Sequence, residues 1–191
     1  MKPPKALLLT PGASATREQP SLVALDDALS AKGMVVERMN FPYTDAGRRA
    51  PDKPPVLIQA VRDGAAALTK RARTRAGSVA LGGRSMGGRI CSMAVAEGLP
   101  AAALVLISYP LHPPGKPDQL RIQHFPEIDV PCLFVSGTRD AFGTPDELVK
   151  ATKAIKGTVT HIWIDGGDHG LRNRDKLVVE AVCTWLFERC H

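Results

Sequence analysis

The chain is short of the features that mark metal-bound, disulfide-stapled or membrane proteins. It has four cysteines, Cys91, Cys132, Cys183 and Cys190, and no two of them form a C-x-x-C pair. A structural zinc site is therefore not expected. Cys183 and Cys190 fall on one expected helix, where seven rises of about 1.5 Å set them roughly 10 Å apart, too far for a disulfide. Reduced thiols and a cytoplasmic location follow as expectations. No apolar run approaches membrane-spanning length, and no membrane association is expected. The one apolar stretch near the N-terminus, Ala6 to Leu9, is too short for the roughly 7–15 residues of a signal peptide core. It reads as a first strand.

Aromatic residues are also scarce, at 5% of the chain, although the net charge is +6. That charge would suit an acidic partner. The densest basic run, Lys70-Arg71-Ala72-Arg73-Thr74-Arg75, has no aromatic residues interleaved for base stacking. It reads as the solvated C-terminal end of a helix, where cations complement the helix dipole. Nucleic acid is not expected as a partner.

What is present is an alternation of short apolar runs and helical stripes over 191 residues, the length of one domain spanning 1–191. Strands are expected at Lys5–Thr10, Met34–Met39, Ser78–Leu81, Ala103–Ile107, Cys132–Ser136 and Val159–Ile164. Helices are expected at Ser21–Ala31 with Ser21 as N-cap, Val56–Ala72, Ile90–Ala96, Pro145–Ile155 with Thr144 as N-cap, and Asp175–Arg189. The last should bury Leu177, Val178, Ala181, Val182, Trp185 and Leu186. The series predicts a mainly parallel sheet of about six strands covered by helices on both faces, a minimal three-layer α/β sandwich. Two proline-rich stretches, Arg49–Pro55 and Ser108–Asp129, read as loops.

The glycine-rich stretch "LGGRSMGGRI" lacks the lysine of a phosphate-binding P-loop and the spacing of a dinucleotide fingerprint. What remains is G-x-S-x-G at Gly83 to Gly87, after a strand and before a helix, the setting of a nucleophile elbow. Ser85 would sit on a sharp turn whose flanks tolerate small residues alone. A serine needs a base and an orienting acid, and in such sheets they follow in the order Ser, Asp, His. "PCLFVSGTRDAFGTP" offers Asp140 just past a buried strand, and "HIWIDGGDHGLR" offers His169 in a glycine-bounded loop past the last strand. All three positions lie at strand C-terminal ends, where open parallel sheets bind ligands. Asp165 and Asp168 read as turn formers. His161 reads as a packed or surface strand residue, His191 as terminal, and His112 and His124 as members of the proline-rich loop.

Ser85, His169 and Asp140 then form a triad for attack on an acyl carbonyl. The oxyanion donors would be the backbone N–H of Met86 and that of Ala13, with Gly12 allowing close approach. No metal or organic cofactor is implied. The 22-residue segment Ser108–Asp129, five of its residues proline, cannot form a helical lid. It should be a stiff rim, with Tyr109, Leu111 and His112 as the residues facing a small-molecule acyl substrate. A shallow site favouring short acyl groups is expected.

The stretches "LLLTPGAS", "LGGRSMGGR", "YPLHPPGKP" and "DGGDHGL" resemble those of small α/β-hydrolases of the KANL/TEX-like family, over nearly the whole chain. The resemblance implies the α/β-hydrolase fold without the first two strands of larger relatives, no lid domain, and the same three triad residues. Some members of that group look like scaffolding subunits. A non-catalytic interaction module retaining a hydrolase fold is therefore the alternative to a serine esterase or thioesterase. The oligomeric state is not implied by any motif.

Overall fold

A computed structural model describes residues 3–188. Arg189, Cys190 and His191 lie outside the described residues, so the Cys183–Cys190 spacing and the last residue of the expected C-terminal helix do too. The strands are β1 (Ala6–Thr10), β2 (Val35–Arg38), β3 (Val79–Arg84), β4 (Leu104–Ile107), β5 (Cys132–Gly137) and β6 (Val159–Ile164). The helices are α1 (Pro20–Ser30), a four-residue α2 (Pro42–Asp45), α3 (Pro54–Arg71), α4 (Met86–Ala96), α5 (Pro145–Thr152) and α6 (Asp175–Glu188). All strand pairings are parallel, in the order β2-β1-β3-β4-β5-β6.

Alternation along the strands builds two cores. Leu8, Leu81, Leu106 and Phe134 face one side and pack with Ile58, Val61 and Leu68 of α3, Ile90 and Ala94 of α4, and Leu148 of α5. Leu7, Leu9, Val105 and Val135 face the other, against Leu22, Leu25 and Leu29 of α1 and Val182 and Leu186 of α6. Both faces being covered, the central strands β1, β4 and β5 read as largely continuous apolar runs. The expected three-layer arrangement is therefore observed. The chain turns back on itself at β1: β2 lies on one side of it and β3 on the other. A cleft opens at such a switch point, outside the carboxyl ends of the strands.

Local boundaries differ where a local rule was overruled. Pro20 takes the first position of α1 and Gln19 precedes it without a side-chain cap. Ser21 is thus inside the helix and buried, not its N-cap, because the fixed φ of proline already suits the first turn. Thr144 does cap α5, in a capping box with Glu147. Leu177 is 41% exposed and does not belong to the buried face of α6. The basic run ends α3 as expected: Lys70 and Arg71 occupy its last turn, and Arg71 pairs with Glu37 and donates to the Val36 carbonyl.

Candidate active site

Strand β3 runs through Gly82 and Gly83 to Arg84, and α4 starts at Met86. Ser85 is the one residue between them, at φ 51° and ψ −119°. That left-handed region strains any side chain and is tolerated where the surroundings enforce it. Its neighbours explain the glycines. A Cβ on Gly83 would collide with the Thr10 hydroxyl and carbonyl, and one on Gly87 would lie 2.5 Å from the carbonyl oxygen of Pro11. Gly88 would meet the Gly83 carbonyl at 2.7 Å. The turn can be this tight because those three positions carry no side chain.

The loops after β5 and β6 bring the other two residues to Ser85. Its Oγ lies 2.8 Å from Nε2 of His169. Nδ1 of His169 lies 2.9 Å from each carboxylate oxygen of Asp140. A carboxylate accepts, so the imidazole proton sits on Nδ1 and Nε2 is left to accept from the Ser85 hydroxyl. Asp140 is 2% exposed and is fixed by the Phe142 amide, which donates to its Oδ1 at 2.8 Å. The serine and histidine are half-buried, and Ser85 lines the cleft. Asp165 is engaged elsewhere, accepting from the Thr138 hydroxyl at 3.3 Å. His161 is a packed strand residue, 3.0 Å from the Thr152 hydroxyl and stacked on Trp163.

Two residues that sequence motifs did not single out complete the geometry. Nη2 of Arg84 donates to the His169 carbonyl at 2.7 Å and also to the Gly170 carbonyl. Burial pulls its pKa below the usual arginine value, opposed by Asp175, Asp168 and Asp140. Phe142 stacks on the His169 ring, with centroids 3.9 Å apart. A restrained ring is what directional proton transfer needs. Arg84 occupies the first variable position of G-x-S-x-G, which is the sole sequence signal for it.

The loop after β1 brings Ala13 to the same cleft as Met86. Among the described residues neither backbone amide donates to an acceptor, and the Gly12 amide is taken by Gln19 Oε1 at 3.1 Å. Both expected donors are thus unspent and adjacent to Ser85. Gly12 is not required for steric relief: an added Cβ would stand 3.7 Å from the Ser85 Cβ, an ordinary contact.

The expected rim needs correction. Tyr109, Leu111 and His112 are 1%, 0% and 5% exposed and do not line the Ser85 cleft. The Tyr109 ring packs between Phe125 and Phe134, and its hydroxyl donates to the Arg121 carbonyl at 2.8 Å. The His112 amide donates to the Phe142 carbonyl at 3.1 Å. Burial of the Leu111 side chain gains about 1.5–3 kcal/mol by leaving water, and the polar atoms of Tyr109 and His112 are buried with partners, the Arg121 carbonyl for the one and the Pro113 carbonyl and Glu147 for the other. The rim is made instead by Pro110, Arg121 and Phe142. The cleft measures about 530 Å³.

Among the described residues no three His, Cys, Asp or Glu side chains gather as metal ligands would, and no helix is long and apolar enough to cross a membrane. Cys91, beneath the elbow, is a buried thiol whose pKa burial pushes up to about 12, which keeps it protonated and unreactive.

Residues 3–182 match the family described as the alpha/beta hydrolase domain. Similar solved structures include Est1E from Butyrivibrio proteoclasticus, with a TM-score of 0.79, 18% identity, and coverage of 97% of this chain and 87% of that one. A dienelactone hydrolase from Anabaena variabilis matches with a TM-score of 0.75 and 16% identity over 96% of this chain and 85% of its own. An alpha-beta serine hydrolase homologue from Coxiella burnetii matches with a TM-score of 0.71 and 16% identity over 94% and 86%. At these identities the likeness is one of fold.

Proposed function

The chain belongs to the alpha/beta hydrolase family, and from that premise we propose that it is a serine hydrolase cleaving an ester, thioester or related acyl bond. The carrying observation is the unbroken hydrogen-bond line from Ser85 through His169 to Asp140, with distances of 2.8 Å and 2.9 Å. Ser85 Oγ attacks the carbonyl as His169 Nε2 takes its proton. Asp140 holds the Nδ1–H tautomer and stabilises the imidazolium. The amides of Met86 and Ala13 donate to the oxyanion, aided by the positive end of α4. His169 then protonates the leaving group, and the same groups activate water to release the acid.

Within the superfamily, we read the motifs as resembling those of the small KANL/TEX-like group. The reading is of one hydrolase domain over 1–191, acting in the cytoplasm on a small-molecule substrate, with no cofactor, nucleic acid or membrane partner. Labelling by a fluorophosphonate probe tests it. The wild type should label and a folded Ser85→Ala protein should not. Equal labelling of the two would remove Ser85 from the nucleophile role.

A further inference from the structure

The cleft at Ser85 is lined by three arginines, Arg84, Arg89 and Arg121, and by no acidic residue. Asp140 lies behind His169, almost wholly buried. Arg84 is occupied with the His169 loop. Arg89 and Arg121 are not: among the described residues neither guanidinium makes an ion pair or a side-chain hydrogen bond.

Both are held in place. Arg89 lies on α4, its amide donating to the Ser85 carbonyl at 3.1 Å, so it rises from the helix one turn beyond the nucleophile. Its Nε is shut off from solvent and has no partner. Arg121 is clamped through its backbone: its amide donates to the Leu111 carbonyl at 2.8 Å, and its carbonyl accepts from the buried Tyr109 hydroxyl. The two cations feel each other. Burial first and Arg89 second pull the Arg121 pKa below the usual arginine value, and the same two causes bring His124 down to about 4. The positive field of Arg89 is therefore not neutralised locally. An exposed arginine needs no partner, but a partly buried one with a sealed N–H loses hydrogen bonds that water would supply. Keeping that sealed Arg89 N–H beside a second unpaired guanidinium, Arg121, is unfavourable until an anion enters.

We propose that Arg89 and Arg121 form an anion-binding subsite of the Ser85 cleft, and that the preferred substrate is an acyl compound bearing a carboxylate or phosphate group near its scissile bond. The proposal rests on the hydrolase reading for its chemistry and on the arginine geometry for its specificity. Guanidinium forks suit such oxygens because they offer parallel donors together with charge.

Matched ester pairs test the subsite. One pair, 4-acetoxybenzoate and 4-acetoxybenzamide, places the charge in the leaving group, and 4-acetoxyphenyl phosphate extends it to a phosphate. A second, monophenyl adipate and phenyl hexanoate, places it in the acyl group. In at least one pair the anionic ester should have a kcat/KM about tenfold or more above its neutral partner, on the scale of a charge-assisted hydrogen bond. That ratio should fall towards one in folded Arg89→Met and Arg121→Met proteins, survive in part in Arg89→Lys, and shrink with added salt. Turnover of neutral esters with ratios at or below one in both pairs would overturn the subsite and leave the hydrolase reading intact. If no ester is turned over, the uncleavable amide counterparts provide the readout. A thermal stabilisation by the anionic amides that Arg89→Met abolishes supports the subsite while the hydrolase reading fails, and its absence overturns both.

Discussion

Arg84, which precedes Ser85 in the chain, reaches across the floor of the cleft and donates from Nη2 to the backbone carbonyl of His169 at 2.7 Å. The strand that leads to Ser85 and the loop that carries His169 are thereby tied by one side chain. Its hold on Gly170 comes from the same Nη2, carried at the end of a planar guanidinium whose fixed geometry a flexible lysine ammonium does not reproduce. Arg84→Met should lower kcat by roughly 10²-fold, the scale of a small misplacement of a reacting group. Arg84→Lys should recover little of it. Because Arg84 acts through His169, KM for a neutral ester should change far less than kcat. A loss appearing wholly in KM would show that Arg84 binds substrate instead.

This tie also shows where sequence reading stops. The buried runs Ala103–Ile107 and Cys132–Ser136 announced β4 and β5 because strands covered on both faces are apolar throughout. The elbow was legible as a motif, yet its element boundaries were not. β3 runs on through Gly82 and Gly83 because those residues pair with Leu9 and Thr10 of β1, a tertiary gain that overrides glycine's poor strand preference. α4 starts at Met86, before Gly87 and Gly88, whose missing side chains let the turn pack against Thr10, Pro11 and Gly83. Ser85, Asp140 and His169 could be named from spacing and strand-end position. Arg84 and Phe142 could not, since their contacts with the His169 loop join residues far apart in the chain. Tyr109 and Leu111 were misplaced because a loop has no period from which side-chain direction can be read.

The glycine at 87 should be intolerant of the smallest enlargement. A Cβ there would stand 2.5 Å from Thr10 Oγ1 and from the Pro11 carbonyl oxygen, and neither can retreat without moving β1. Gly87→Ala should destabilise the fold by about 1–3 kcal/mol, as overpacking does. Gly77, where an added methyl would meet nothing within 4 Å, is the control, and Gly77→Ala should be near neutral. Urea denaturation of the two variants decides. Equal midpoints would refute a steric role for Gly87.

His124 gives the fold an acid sensitivity of known sign. The Ser92 hydroxyl donates to the Arg89 carbonyl at 2.8 Å, so it accepts from His124 Nε2–H, also 2.8 Å away. Burial, and then the charge on Arg89, brings the folded-state pKa to about 4, against about 6.5 for the unfolded chain. Between those values the unfolded state binds more protons. The contribution is fully present above about pH 6.5 and is lost as pH falls towards 4. One proton limits the slope to about 1.4 kcal/mol per pH unit, and the ring's partial exposure keeps it below that limit. His161, also lowered by burial, adds to the same slope. His124→Gln should flatten the fall of stability across this window. An unchanged slope would show that His124 does not titrate with unfolding.

In the proposed hydrolase, the segment from Ser108 to Asp129 would set which acyl chains the cleft can cover. Its one helical element among the described residues is the short 3₁₀ turn at Phe125–Glu127. Its large apolar side chains, Tyr109, Leu111, Phe125 and Ile128, are wholly spent on the core. Leu120, which is exposed, and Ile122 do not line the Ser85 cleft, so neither is placed to cover a bound chain there. The cleft of about 530 Å³ can take a short acyl group and its leaving group. Each further methylene left in water forgoes about 0.8 kcal/mol. Along a series of neutral p-nitrophenyl esters, kcat/KM should therefore peak at acetyl to butyryl and then level off or decline. A steady rise out to palmitoyl would mean that a tunnel opens beneath Pro110 and Phe142, and the open-cleft account would fall.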